Sequence, residues 1–246
     1  MSKIAVISDI HSNLPALKAV LKDIEAFGAQ HIYCLGDLTD AAPWHNEVID
    51  LIRSLAIPTL MGNHDERIAL DLPVLPLSKH SPAEQKARLA AINFTKSTIT
   101  NTNRQFLAKL PSSIRFQFQD SHFMLVHGSP DSNDEYLYED HNPNVLLKMM
   151  EEYQTDVLIT GHTHLSYIRE LQGTDSSKQT LIINTGSVGR TKEKDQKASY
   201  LQLNLFENDS KIQASIRKVK YNVMETVQGI KDSPVPDFYA DFLLAL

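Results

Sequence analysis

The sequence has little cysteine, no long apolar run and no excess of positive charge, and each shortage excludes something. Cys34 is the only cysteine, so no disulfide can form within the chain. A lone thiol suits a reducing cytosol. Its neighbours Ile32, Tyr33 and Leu35 mark it as a small apolar residue in a buried strand. No stretch approaches the roughly 20 apolar residues of a membrane helix, and the run Ile4–Ile7 is too short for a secretory signal. These absences predict a soluble, cytoplasmic protein. The net charge is −6, so the chain carries no broad attraction for nucleic acid or an anionic membrane. Repeats, low-complexity tracts and Gly/Ser linkers are also missing, which predicts one domain over residues 1–246 with a helical segment at about 66–110.

What is present is an ordinary globular balance, 42% hydrophobic and 22% charged, enough to bury a sizeable core. Ile4–Ile7 reads as a strand buried on both faces. Leu14, Leu17, Val20, Leu21, Ile24 and Phe27 then recur at helical spacing, and Gly28 stops the helix. Residues 32–35 and 57–61 read as further strands, with a helical stripe at Val48, Ile49, Ile52 and Leu55 between them. The order strand, helix, strand, helix, strand predicts right-handed crossovers and a parallel sheet. Ser81-Pro82-Ala83-Glu84 reads as a capped helix start, with helix through much of 82–109 and a stop by Pro111. The second half is strand-rich, with runs at 114–118, 122–126, 157–160, 166–171, 180–184, 198–206 and 212–220 and one helix at about 143–153. A short helix is expected within 234–246.

Five short motifs each follow one of the apolar runs: Asp9-Ile10-His11, Gly36-Asp37, Gly62-Asn63-His64-Asp65, His127-Gly128 and Gly161-His162-Thr163-His164. In open α/β sheets, ligand sites gather beyond the carboxyl ends of the strands. Asp9, His11, Asp37, Asn63, His127, His162 and His164 together offer oxygen and nitrogen donors without a thiolate. That set favours divalent Mn, Fe or Zn over a structural zinc–cysteine site. Seven donors exceed what one tetrahedral ion needs, but suit two ions sharing a carboxylate. Five of the ten histidines fall in these motifs. Any one motif alone reads as a turn; the joint occurrence, in order and at strand ends, points to a metal site.

At these residues the sequence resembles the calcineurin-like metallophosphoesterase superfamily, whose pattern is D-x-H, G-D, G-N-H-[DE], H and G-H-x-H. The resemblance runs over about residues 3–206. Ser8-Asp9-Ile10-His11-Ser12-Asn13-Leu14-Pro15-Ala16-Leu17 and Asn184-Thr185-Gly186-Ser187-Val188-Gly189-Arg190 are similar to a compact bacterial and archaeal phosphodiesterase group within it. The resemblance implies a four-layer α/β/β/α fold, a β-sandwich flanked by helices. It implies that Asp9, His11 and His164 hold one metal, that Asn63, His127 and His162 hold the other, and that Asp37 bridges them. His64 would stand beside the scissile phosphate as proton donor, with Asp65 holding its ring. The cofactors implied are two divalent ions, Mn²⁺ foremost, with Fe, Zn or Ni as alternatives. The reaction implied is hydrolysis of a phosphoester by a hydroxide bridging the two metals, whose charge outweighs Asp9, Asp37 and the hydroxide.

Three departures bear on substrate. The loop Leu38-Thr39-Asp40-Ala41-Ala42-Pro43 lacks the glycine usual in the close group, and Thr185 stands where proline is usual. The arginine that follows G-D in protein serine/threonine phosphatases is missing, which sets that branch aside. The expected activity is therefore a phosphodiesterase on a small phosphoester, with a phosphomonoesterase or nucleotide phosphatase as the alternative. A non-catalytic metal-binding scaffold is the third choice, disfavoured because His64 and all seven donors are kept. No long nucleic acid or membrane partner is expected, and a homo-oligomer is compatible with the sequence. Arg190, Lys192, Lys194 and Lys197 cluster, but read as a solvated loop. His122, Asp131 and His141 read as surface residues, and Tyr136 and Tyr138 as packing residues that could otherwise stack on a base.

Overall fold

A computed structural model describes residues 1–76, 78, 80–172, 179–207 and 209–245, with only the backbone described at 209–211. Nine strands are described: β1 (Ser2–Ile7), β2 (His31–Cys34), β3 (Ser113–Phe118), β4 (Ser121–Val126), β5 (Val157–Thr160), β6 (Ser166–Leu171), β7 (Thr180–Thr185), β8 (Ala198–Phe206) and β9 (Asp209–Val219). The described helices are α1 (Leu14–Phe27), α2 (His45–Ser54), α3 (Asn63–Ala69), α4 (Pro82–Thr98), α5 (Asn101–Leu107), α6 (Pro143–Glu152), α7 (Val223–Lys231) and α8 (Phe238–Leu244). The strands form two sheets, ordered β2-β1-β8-β9 and β3-β4-β5-β7-β6.

The period-2 alternation of each inner strand builds the layers. Ile4 and Val6 of β1, Phe123 and Leu125 of β4, Val157 and Ile159 of β5, and Leu201, Leu203 and Leu205 of β8 join one apolar cluster between the sheets. The alternate residues Ala5 and Ile7 of β1 and Tyr200 of β8 face α1 and α2, where Leu17, Val20, Ile24, Val48, Ile49 and Ile52 are buried. On the far side, Met124, Leu158 and Ile182 meet Leu146, Met149 and Met150 of α6. Helix, sheet, sheet and helix are thus stacked in the expected four layers. Each fully buried aliphatic side chain in these layers stabilises the fold by about 1.5–3 kcal/mol.

Local signals fix the element ends. Asn13 caps α1 by accepting from Ala16 N at 3.2 Å, and Gly28 closes it at φ 76°, a left-handed angle that glycine adopts without strain. Ser81 caps α4 by accepting from Glu84 N at 3.2 Å. The long helix expected through 109 is two helices, because Ile99 turns extended and Thr100 caps α5 anew through Asn103 N. Helix α7, not among the expected elements, is capped by Asn222 and buries Thr226, Val227 and Ile230. Helix α8 lies inside the segment expected to be helical.

The expected third strand, 57–61, is a single parallel bridge between Cys34 and Thr59. Pro58 accepts from Cys34 N, but has no N–H with which to extend a ladder, and Met61 N turns to Pro111 O. The other side of β1 is occupied by antiparallel β8, so both sheets are mixed rather than parallel. The strands that matter for the site are nonetheless parallel: β1 with β2, and β4 with β5 and β7. Their carboxyl ends open on one rim. No described helix is long and apolar enough to cross a membrane.

Candidate metal centre

Four of the motifs leave those carboxyl ends, and the fifth, Gly62-Asn63-His64-Asp65, follows the bridge at Thr59 and meets them. Asp9 and His11 follow β1, Asp37 follows β2, Asn63 opens α3, His127 follows β4, and His162 and His164 follow β5. All seven side chains are buried. Five of them hold left-handed backbone: Asp9 (φ 53°), His11 (48°), Asp37 (53°), His162 (63°) and His164 (62°). Such angles are unfavourable for L-residues and persist only where the surroundings impose them. The loops cross closely as well. A side chain at Gly62 would strike Asp37, and one at Gly161 would strike Ser8 and Asp9, so glycine is required where these turns touch.

Backbone carbonyls orient the rings. His11 Nδ1 donates to Thr39 O at 3.1 Å, His127 Nδ1 to Leu35 O at 2.9 Å, and His164 Nδ1 to Arg190 O at 2.5 Å. With Nδ1 protonated, the Nε2 atoms of His11 and His164 present lone pairs inward, and that of His127 points inward with a proton or, once that proton is lost, a lone pair. His11 Nε2 and His164 Nε2 face each other at 3.1 Å, and Asp9 Oδ1 is 3.1 Å from the latter. Asp37 Oδ2 lies 3.6 Å from His11 Nε2 and 3.4 Å from His127 Nε2. Asn63 Oδ1 is 3.2 Å from His127 Nε2, and its amide nitrogen donates to Asp134 Oδ1 at 2.8 Å. Three groups have the spacing of a metal site: Asp9, His11 and His164; His11, Asp37 and His64; and Asp37, His127 and His162. Asp37 is common to the last two.

A divalent cation fits this arrangement. Asp9 Oδ1 and His162 Nε2 are buried without a hydrogen-bond partner among the described residues, a costly state for polar atoms unless something else meets them. Lone pairs pointed at one another also call for a cation. The electrostatics agree. Burial favours the neutral form of His11 and, with the His164 charge, holds its pKa well below the ordinary value; burial and His127 lower His162 to about 3. Burial alone would raise the Asp9 and Asp37 carboxyls, but His164 beside Asp9 and His127 beside Asp37 more than offset it and keep both low. Burial disfavours charge on His127, yet Asp37 and Asp9 outweigh it and push the ring up to about 10. The buried carboxylates thus demand positive charge, which a proton on His127 or a metal ion can supply.

His64 stands at the edge of the cluster, its ring centroid 5.0 Å from that of His11 and 18% of its side chain exposed. Its N–H donates to Asp37 Oδ1 at 2.9 Å. Its ring is held by Asp40, not Asp65: Nδ1 meets Asp40 Oδ2 at 2.7 Å. Asp65 is the third residue of α3, and its carboxylate folds back to accept from Gly62 N (3.3 Å) and across to Leu38 N (2.9 Å) and Thr39 Oγ1 (3.3 Å). Those bonds tie it to the helix start and the Asp37 loop, and the His64 ring has Asp40 as its partner instead. Burial, with the Asp37 charge, raises Asp65 to about 8. The sequence signal for Asp40 was the second aspartate in Gly36-Asp37-Leu38-Thr39-Asp40.

A cavity of about 760 Å³ opens over the cluster, lined by Asp37, Asn63, His64, His162 and His164 at its floor. Tyr136 and Tyr138 line one wall and stack on each other at 5.7 Å, with Tyr136 tilted over His162 at 4.0 Å. Arg190 and Lys192 also line it, whereas Lys194 and Lys197 do not. His122 pairs with Asp156, Asp131 accepts from Tyr153, and His141 packs by its backbone against Tyr138; none of the three lines the cavity.

The chain is similar to known proteins over nearly its whole length. The model of the calcineurin-like phosphoesterase superfamily domain matches residues 2–208. An uncharacterised protein of Methanocaldococcus jannaschii is 34% identical over 255 residues, covering 98% of this chain and 97% of that one. A metallophosphoesterase of Sphaerobacter thermophilus superposes with TM-score 0.76 at 28% identity, over 99% of this chain and 98% of that one. A hypothetical protein of Pyrococcus horikoshii shares the fold, with TM-score 0.81 at 20% identity over 99% and 98% of the chains. With its two sheets flanked by helices and its histidine–aspartate cluster at the strand ends, the chain belongs to the calcineurin-like phosphoesterase superfamily.

Proposed function

We propose that the protein is a phosphodiesterase that hydrolyses a small phosphoester with two divalent metal ions, Mn²⁺ foremost. The observation that carries this reading is the donor group Asp9, His11 and His164 set against the donor group Asp37, His127 and His162, with Asp37 Oδ2 3.6 Å from His11 Nε2 and His64 in the lining of the same cavity. Asp9, His11 and His164 would hold one ion, Asn63, His127 and His162 the other, and Asp37 both. Bound there, the ions supply Lewis-acid chemistry, acidifying a water and countering charge on the phosphoryl oxygens.

The chain's own residues do the rest. Thr39 O, Leu35 O and Arg190 O fix the tautomers of His11, His127 and His164, so their Nε2 atoms stay available as donors. Asp134 turns the Asn63 amide so that its oxygen faces the cluster. Asp40 holds His64 by Nδ1 and leaves Nε2 to carry the transferred proton. In the reaction the water oxygen forms a bond to phosphorus and the ester oxygen departs with the proton from His64 Nε2. The proton released by the water restores the ring through solvent. The products are an alcohol and a phosphomonoester.

The test is to strip the protein with chelator, add back Mn²⁺, and compare bis-p-nitrophenyl phosphate with p-nitrophenyl phosphate. Metal-dependent turnover of the diester, faster than of the monoester, supports the proposal. Faster monoester turnover reassigns the protein as a phosphomonoesterase. Two bound ions with no turnover of either substrate favours the scaffold.

A further inference from the structure

The cavity is far larger than the reacting phosphate needs, being in the size range of pockets that enclose whole small molecules. Beyond the strand-end residues its lining comes from α3, from Leu72, Pro73, Leu75 and His80, and from α4, and it carries two arginines, Arg67 and Arg88. Neither has a carboxylate within ion-pair distance among the described residues. Arg67 Nη1 is buried with no hydrogen-bond partner among those residues. Arg88 spends one donor on Leu75 O at 2.8 Å. Burial, followed by the nearby Arg67 charge, lowers the Arg88 pKa, so the two guanidinium groups stand close enough to repel.

Like charges sharing a half-buried wall are unfavourable on their own. Arginine cannot relieve the repulsion by shedding its proton. Of the acids that line the same cavity, Asp37 belongs to the cluster, Asp134 bonds Asn63, Glu66 bonds Asn133 and Glu84 meets His80, and the charges of Tyr239, Asp40 and Asp134 offset the burial and repulsion at Arg88 only in part. The arrangement suits an anion able to accept from two planar forks at once, as a phosphoryl group does. Arg190, set on the rings of Tyr239 (5.3 Å) and Phe242 (5.0 Å), adds positive charge on the α8 side.

We infer that Arg67 and Arg88 form a second anion site, which binds a further phosphoryl group of a substrate whose phosphoester lies at the strand-end cluster. This rests on the phosphoesterase reading of that cluster and narrows it. The preferred substrate is a small phosphoester bearing a second phosphate, not an uncharged diester.

The test uses the Mn²⁺-loaded full chain and a dinucleotide of adenosine with and without a 5′-phosphate. Two quantities are measured: kcat/KM on the natural linkage, and Kd by calorimetry on a hydrolysis-resistant phosphorothioate linkage. The 5′-phosphate is expected to improve both by at least about tenfold in the wild type, the scale of hydrogen bonds to charged groups. In the Arg67→Gln/Arg88→Gln protein the gain should fall to about twofold or less, and each single variant should lose part of it, with melting temperatures confirming that the variants fold. No gain in the wild type, or the same gain in the double variant, overturns the inference. If neither dinucleotide and neither nitrophenyl ester is hydrolysed while the 5′-phosphate still tightens binding through the two arginines, the phosphoesterase reading fails and the anion site stands.

Discussion

The strand-end rim and the helical layer both bury polar residues, but they satisfy them differently. At the rim, His11, His127 and His164 each give Nδ1 to a carbonyl and turn Nε2 inward toward Asp9, Asp37 and one another. In the helical layer, His45 meets Thr98 Oγ1 at 3.0 Å and leans on the Phe94 ring, its Nδ1 is buried without a hydrogen-bond partner among the described residues, and it belongs to none of the described donor groups with metal spacing. The first arrangement concentrates charge demand at one point; the second places a histidine in a core. Burial alone therefore does not mark a functional histidine. Convergence of free ring nitrogens on carboxylates does.

The largest effect is expected at the point of greatest convergence. Asp37→Asn removes the carboxylate that lies near both His11 and His127. It should lower kcat/KM by more than about 10³-fold, beyond the loss of a single electrostatic stabiliser, and reduce bound metal together with the rate. Metal stoichiometry by elemental analysis, read beside turnover, checks this. Full occupancy at a normal rate would remove Asp37 from its shared position.

Next comes His64, which belongs to the rim but keeps solvent access. His64→Ala should cost about 10²–10⁴-fold in kcat with metals retained. Asp40→Asn should follow at about 10–100-fold, the usual scale for a group that orients a functional side chain. Asp65→Asn, which leaves the ring's partner in place, should cost less turnover than Asp40→Asn. The reverse order would restore Asp65 to the ring.

Asp65 itself should act on stability. Asp65→Ala strands the N–H groups of Leu38 and Gly62, now bonded to its carboxylate. A loss of about 1–3 kcal/mol in unfolding free energy is expected from those unsatisfied donors. Denaturant titration measures it, and an unchanged midpoint would show that the loops hold each other without this residue.

The two regions also differ in how far the sequence disclosed them. The rim was legible because its loops are short and leave strands, so Gly-Asp and Gly-His-x-His sit at fixed offsets from apolar runs. The four layers were legible from alternation, as in Ile4 and Val6 against Ala5 and Ile7. The resemblance implies Asp65 as the partner of the His64 ring, but its carboxylate is taken up at the helix start by Gly62 N and in the Asp37 loop by Leu38 N. Arg67 and Arg88 lie on separate helices twenty-one residues apart and match no motif; only helix packing brings them to one wall. The break at Ile99 and the bridge at Thr59 were hidden for a similar reason, since a cap and a missing proline N–H decide them locally.

The smallest expected effect sharpens the contrast from the helical side. Burial lowers the His45 pKa below its ordinary 6.5, only partly countered by the charges of Asp40 and Glu47. The folded protein therefore prefers this ring neutral, and below about pH 6.5 the unfolded chain binds the proton more readily. The contribution of His45 to stability is complete above that pH and is lost as pH falls through the depressed folded value. In melting curves taken from pH 7.5 down to pH 5, His45→Gln should flatten the decline relative to wild type, while metal-dependent turnover at pH 7.5 changes little. The same slope in both proteins would place the acid sensitivity elsewhere. A large loss of turnover would mean that this histidine, despite belonging to none of the described donor groups, is coupled to the rim through Asp40.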